Sequence, residues 1–287
     1  MKPVYIFGGD SFTWGEGLEL YMDTPYWINE RNYENRWEQI GQKQFPDAVN
    51  FRESNRFSAL VSKYFDGISV INDYNGGSFD VGAFLINDNM KLKPKAVIYQ
   101  FTSYSRMYLH FSRFCECEFC RPPQPLPNVL PYTFYLDCLR KKLNNENFNE
   151  TDLYFIQKLK EKENIELIPI EKFHAVNDIF HFFDPIFQRN IDIFFSEYVS
   201  KWSSETKVLL IDSWDTQSSE LICKDENLKK YLVPLKGYDG NYYYEYPKWE
   251  KTFPHKRIED EFPATKNGHP TLLQHKYLSE SIIEALQ

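Results

Sequence analysis

The stretch Val4-Tyr5-Ile6-Phe7-Gly8-Gly9-Asp10-Ser11-Phe12-Thr13-Trp14-Gly15-Glu16-Gly17 decides how the rest of the chain is read. Its apolar opening fits a buried strand, and the glycine pair that follows permits a tight turn and the close approach of another backbone. Asp10 and Ser11 are then presented where a strand turns toward a helix. In open α/β folds the loops beyond the carboxyl ends of parallel strands converge on a crevice, and ligands bind there. A Gly-Asp-Ser tripeptide also marks many ordinary turns, so a working role for Ser11 depends on what the remaining segments bring to it.

Those segments alternate between strand and helix patterns. Residues 18–50 show no sustained period and read as a long loop with a short helix near Trp37, close enough in sequence to rim a pocket at Ser11. Ser54 is expected to cap a helix whose Phe57, Leu60, Val61, Tyr64 and Phe65 share one face, ended by Asp66-Gly67. Ile68 to Asn72 is a second strand, followed by the turn Asp73-Tyr74-Asn75-Gly76-Gly77-Ser78 and an apolar helix from Val81 to about Met90. After Pro94, Ala96 to Phe101 is a third strand running into Thr102-Ser103-Tyr104-Ser105-Arg106, and Val208 to Asp212 is a fourth. Helices are expected near 151–162 and 185–202, and the last helix carries Leu278, Ile282, Ala285 and Leu286 on one face. Such alternation predicts crossover connections and a mostly parallel sheet. The expected fold is a single three-layer α/β/α domain over 1–287, with an insertion or cap at about 107–150 and a long loop region at about 215–265. The acidic run Ile258-Glu259-Asp260-Glu261 reads as a solvated face.

Composition narrows the partners. The net charge is -8, and the 33 basic residues form no dense block, which argues against nucleic acid and anionic membrane surfaces. No apolar run approaches the roughly 20 residues that cross a bilayer, and the first residues lack the layout of a signal peptide. A soluble, cytoplasmic protein is expected. Aromatic residues make up 17% of the chain, many of them in loop-like segments, so either a groove for sugars or ordinary core packing accounts for them. Of five cysteines, Cys115, Cys117 and Cys120 are crowded just after His110. Three thiolates and one imidazole make a possible zinc set, though not at the spacing of a standard zinc knuckle, and free thiols in a surface insertion are the alternative. No other motif calls for a cofactor. Besides His269, the histidines His110, His174, His181, His255 and His275 read as surface or packing residues.

Four blocks stand in order: Gly9-Asp10-Ser11 after the first strand, Asn72 to Gly77 after the second, Gln100-Phe101-Thr102-Ser103 after the third, and His269-Pro270 before the last helix. Together they resemble the SGNH (GDSL-type) hydrolase superfamily of esterases, lipases and carbohydrate deacylases on a flavodoxin-like sheet. The resemblance covers the two ends of the chain well and its middle poorly. It implies Ser11 as the nucleophile, with its own N–H and that of Gly77 as oxyanion donors, and His269 as the general base. The family's third block has an Asn where Thr102 stands and a Gly where Gln100 stands, so Thr102 is the expected third donor, with Gln100 or Ser103 as substitutes. The family's last block is Asp-x-x-His, and Lys266 stands at the Asp position. Something else must then orient His269: a main-chain carbonyl, Asp260 or Asp212. Arg106 is a candidate for pairing with an anionic substrate group or, equally, with Asp10 or Asp80; Asp10 itself is expected mainly to organise the turn. The activity implied is hydrolysis of O-acyl esters, such as acetyl groups, on a polar or carbohydrate substrate. The alternatives are a non-catalytic glycan-binding or assembly module, and an acyltransferase.

Overall fold

The computed structural model describes residues 2–22, 46–71, 79–103, 108–110, 129–150, 152–153, 156–157, 188, 191–263 and 268–287. Strand β1 (Val4–Gly8) leads into a one-turn helix, α1 (Ser11–Trp14). Helices α2 (Pro46–Asn55) and α3 (Phe57–Tyr64) precede β2 (Ile68–Ile71), and α4 (Phe79–Asn89) precedes β3 (Ala96–Gln100). A short antiparallel pair, β4 (Tyr108–His110) and β5 (Val129–Pro131), is followed by α5 (Tyr132–Leu143). A π-helical stretch, Phe195–Val199, runs into α6 (Ser200–Glu205) and then β6 (Lys207–Ile211). Next come α7 (Thr216–Ile222), α8 (Glu226–Lys229), the two-residue strands β7 (Leu235–Lys236) and β8 (Tyr242–Tyr243), α9 (Tyr246–Glu250), α10 (Ile258–Glu261) and α11 (Leu272–Leu286).

Strands β2, β1, β3 and β6 form a sheet in that spatial order, with every pairing parallel. Side chains alternate between its faces. Ile6, Val97, Tyr99, Val208 and Leu210 join Ala83 and Ile86 of α4, Phe194 and Trp202 on one side. Tyr5, Phe7, Ala96, Ile98, Leu209 and Ile211 join Phe57 and Val61 of α3 and Leu278 and Ile282 of α11 on the other. Helices therefore cover both faces, which is why the strands read as continuous apolar runs rather than alternating ones. Among the described residues no helix is long and apolar enough to cross a membrane.

Several expectations change. Ser54 caps nothing: it lies inside α2, and the chain breaks at Arg56, whose extended backbone (φ -66°, ψ 146°) starts α3. The region 215–265 carries four short helices, α7, α8, α9 and α10, between stretches of loop, and Asp215 and Asp225 cap α7 and α8 with their side chains. Helices of four to seven residues are too short to display a 3.6-residue period, so their signal was the cap alone. The proposed insertion holds regular structure in β4, β5 and α5. The helix expected near Trp37 lies outside the described residues, and that near 151–162 is described only at 152–153 and 156–157, which are helical.

Candidate active site

The site is assembled where β1, β3 and β6 end. Gly9 is required there: its φ is 156°, and a Cβ on it would collide with Thr13 Oγ1. Asp10 follows as the N-cap of α1 and is 1% exposed. Its Oδ1 accepts from the Phe12 N–H at 3.0 Å, while Oδ2 accepts from the Thr102 hydroxyl at 2.8 Å and the Trp214 indole N–H at 3.1 Å. One buried carboxylate thus ties together the residues that follow three strands, and Ser11 is fixed as the first residue of α1. Trp214 also stacks on Phe12, with ring centroids 5.4 Å apart.

His269 comes from the opposite end of the chain, and its Nε2 lies 2.7 Å from Ser11 Oγ. Backbone contacts hold it there. Ile258 N–H donates to the His269 carbonyl at 2.9 Å, and Arg257 Nη1 donates to the Gly268 carbonyl at 2.8 Å. Arg257 is itself fixed by Glu250 through two contacts, Nε to Oε1 at 2.6 Å and Nη2 to Oε2 at 3.0 Å. Phe12 meets the imidazole edge-on, with ring centroids 5.2 Å apart, and Thr271 and Gln274 form a capping box that starts α11 two residues on. A second carboxylate, Glu16, puts Oε2 3.3 Å from the same Nε2.

The other expected site residues divide. The Thr102 hydroxyl, expected as an oxyanion donor, has its single proton directed to Asp10, since an ionised carboxylate can only accept. The Ser103 hydroxyl donates to Asp215 Oδ2 at 3.3 Å. Gln100 is 1% exposed; its Oε1 accepts from Thr13 Oγ1 at 2.8 Å, and its Nε2 has no acceptor among the described residues. Neither acid considered for orienting His269 reaches it. Asp212 accepts from Ser219 Oγ and the Tyr246 N–H, and burial lifts its carboxyl to about 6 against the pull of those donors. Asp260 accepts from the Lys256 and Arg257 N–H groups and so braces the Arg257 turn, with those N–H groups holding its carboxyl below the ordinary range. Gly77, Arg106, Cys115, Cys117 and Cys120 lie outside the described residues, and His110 lies in β4.

Sequence reasoning missed Glu16, Trp214, Asp215 and Arg257. Trp214 and Asp215 carried a usable signal, because they directly follow a strand end; a glutamate between two glycines and an arginine eleven residues before Gly268 carried none. Compared with known proteins, the chain matches no family model, no curated protein and no solved structure.

Proposed function

We propose that this chain is a serine ester hydrolase of the SGNH (GDSL-type) kind, acting on O-acyl esters of a polar or carbohydrate substrate. The observation that carries the reading is the 2.7 Å approach of His269 Nε2 to Ser11 Oγ. A serine hydroxyl is a weak nucleophile until a base within hydrogen-bond reach takes its proton. Two residues so far apart in sequence, meeting beyond the carboxyl ends of parallel strands, favour catalysis over a module that only binds. The spatial order β2-β1-β3-β6 also fits a flavodoxin-like sheet, in which ligands sit at the switch point between the first and third strands. Ser11 follows the first of these.

In the proposed reaction Ser11 Oγ attacks the acyl carbonyl while its proton moves to His269 Nε2, and the carbonyl π electrons pass to oxygen. Collapse of the tetrahedral intermediate re-forms the carbonyl and breaks the bond to the alcohol oxygen, which takes the proton from Nε2. Water then repeats the cycle on the acyl-serine and releases the acid. Two donors are assigned to the oxyanion. The Ser11 N–H, at the first position of α1, has no intrahelical acceptor. Gln100 Nε2 is the second: a buried donor without a partner among the described residues calls for an explanation, and its amide is held beside the Ser11 turn by Thr13. Gly77 is retained as a third donor from the family resemblance.

The test is labelling by an active-site-directed fluorophosphonate, which needs nucleophile, base and oxyanion donors together. Wild type is expected to label at Ser11, with Ser11→Ala unlabelled and His269→Ala labelled at least a hundredfold more slowly. Equal labelling of wild type and Ser11→Ala would remove the nucleophile assignment.

A further inference from the structure

We propose that Glu16 is a catalytic carboxylate of this site, stabilising the His269 imidazolium from the side of the nucleophile; the inference rests on the esterase reading above. Glu16 Oε2 and Ser11 Oγ approach the same ring nitrogen, at 3.3 Å and 2.7 Å. The Glu16 and His269 side chains are only 20% and 17% exposed, so solvent screens the contact weakly. The backbone is built to return Glu16 to this position. Gly15 and Gly17 flank it with φ of 82° and 89°, and the N–H groups of Gly15 and Glu16 both donate to the Ser11 carbonyl, at 2.9 Å and 3.1 Å. The chain therefore folds back over α1.

The chemistry of the contact depends on the proton. While the imidazole is neutral and waiting to accept from Ser11, Nε2 offers a lone pair, and a carboxylate gains nothing from facing it. Once the serine proton arrives, the same carboxylate faces an N–H⁺. An interaction that becomes attractive only as the reaction proceeds lowers the barrier rather than merely tightening substrate binding. In the resembling family an Asp three residues before the histidine orients the ring and stabilises its charged form; here that position is Lys266. Glu16 keeps its charge throughout, and the proton travels from Ser11 to Nε2 to the leaving oxygen.

The other charged groups around the ring have partners of their own. Arg257, which reaches the Gly268 carbonyl and lies 5.2 Å from the Phe12 ring, is paired with Glu250. Asp10 accepts from three donors, and Asp260 accepts from two backbone N–H groups. Among the described residues, the carboxylate in contact with the imidazole is Glu16.

The test compares wild type, Glu16→Gln and Glu16→Asp by NMR titration of the His269 ring, and by the pH dependence of kcat/KM on a neutral short-chain aryl ester. A nearby carboxylate favours the charged imidazole, so its removal must lower the His269 pKa. In Glu16→Gln the titration and the acid limb of kcat/KM are expected to move to lower pH by about one unit, with kcat down about tenfold and KM nearly constant. Glu16→Asp is expected to fall between the two. If wild type labels with fluorophosphonate but Glu16→Gln titrates and turns over as wild type does, the Glu16 role is overturned and the esterase reading stands. If wild type neither labels nor turns over, the esterase reading fails and this role fails with it, whatever the titration does.

Discussion

Asp10 and Gln100 are neighbours at the strand ends with opposite hydrogen-bonding states, and the contrast separates framework from chemistry. Asp10 is buried and accepts from Phe12, Thr102 and Trp214, contacts that hold protein to protein. Asp10→Asn would turn one accepting oxygen into a donating NH₂ in front of the Thr102 and Trp214 donors, a mismatch that costs both stability and the placement of Ser11. Gln100 instead ends in a buried NH₂ with no acceptor among the described residues. Replacing it with Leu removes a donor that the folded protein leaves unsatisfied, and Thr13 keeps the Gly8 carbonyl as an acceptor at 3.4 Å. Gln100→Leu is therefore expected to leave the unfolding free energy within about 1 kcal/mol of wild type while lowering kcat about a hundredfold, the usual loss for one oxyanion donor. Steady-state kinetics beside a denaturation curve checks both halves. A normal kcat would show that the amide faces away from the reacting oxygen.

Helix α10 and the turn before it hold the backbone that carries His269. Arg257 bridges Glu250 on one side and the Gly268 carbonyl on the other, and Ile258 N–H grips the next carbonyl. Glu250 is 8% exposed, and burial raises its carboxyl although the guanidinium pulls it back, so removing Arg257 leaves a shielded acid without its partner. Arg257→Met is expected to destabilise the fold by about 3 kcal/mol and to slow labelling of Ser11 in the fraction that remains folded. Double replacement with Glu250→Gln should restore stability but not labelling, because the Gly268 contact stays lost; recovery of both would mean the pair serves folding alone. None of this was legible beforehand. The four parallel strands were, because each is a mostly apolar run, and the serine–histidine pairing was what the resemblance of the ordered blocks at Gly9-Asp10-Ser11 and His269-Pro270 implied. Arg257 and Glu16 act through loops that bring them to the site in three dimensions, and neither lies in a period or a motif. The Thr102 expectation failed for a related reason: sequence position gave its place after β3 but not the Asp10 carboxylate waiting for its proton.

The pH dependence of folding joins two groups on opposite sides of the molecule's energetics. His275 in α11 is fully buried, and Nδ1 accepts from the Phe57 N–H at 3.2 Å, which places the ring proton on Nε2, where no acceptor lies among the described residues. Protonating Nδ1 would break the Phe57 bond, and burial together with the charge of Arg56 pushes the pKa down from 6.5 to about 3. Below pH 6.5 the unfolded chain therefore takes up a proton that the folded one refuses, and stability falls as the pH drops toward 3. Asp212 works the other way. Burial raises it from 3.8 to about 6, so between those values the folded state holds a proton that the unfolded state has released, and stability increases as the pH drops through that window. Between pH 6 and 3.8 the two slopes oppose each other, each about 1.4 kcal/mol per unit at most. Substituting His275→Asn keeps an acceptor for Phe57 and removes only the histidine's slope. Urea unfolding at pH 7 and pH 4.5 should then show the variant gaining stability on acidification relative to wild type, by about 2 kcal/mol. Parallel pH dependence in the two proteins would mean that the His275 ring takes up its proton in the folded state as readily as in the unfolded one, and that the packing of α11 against α3 yields to the charge.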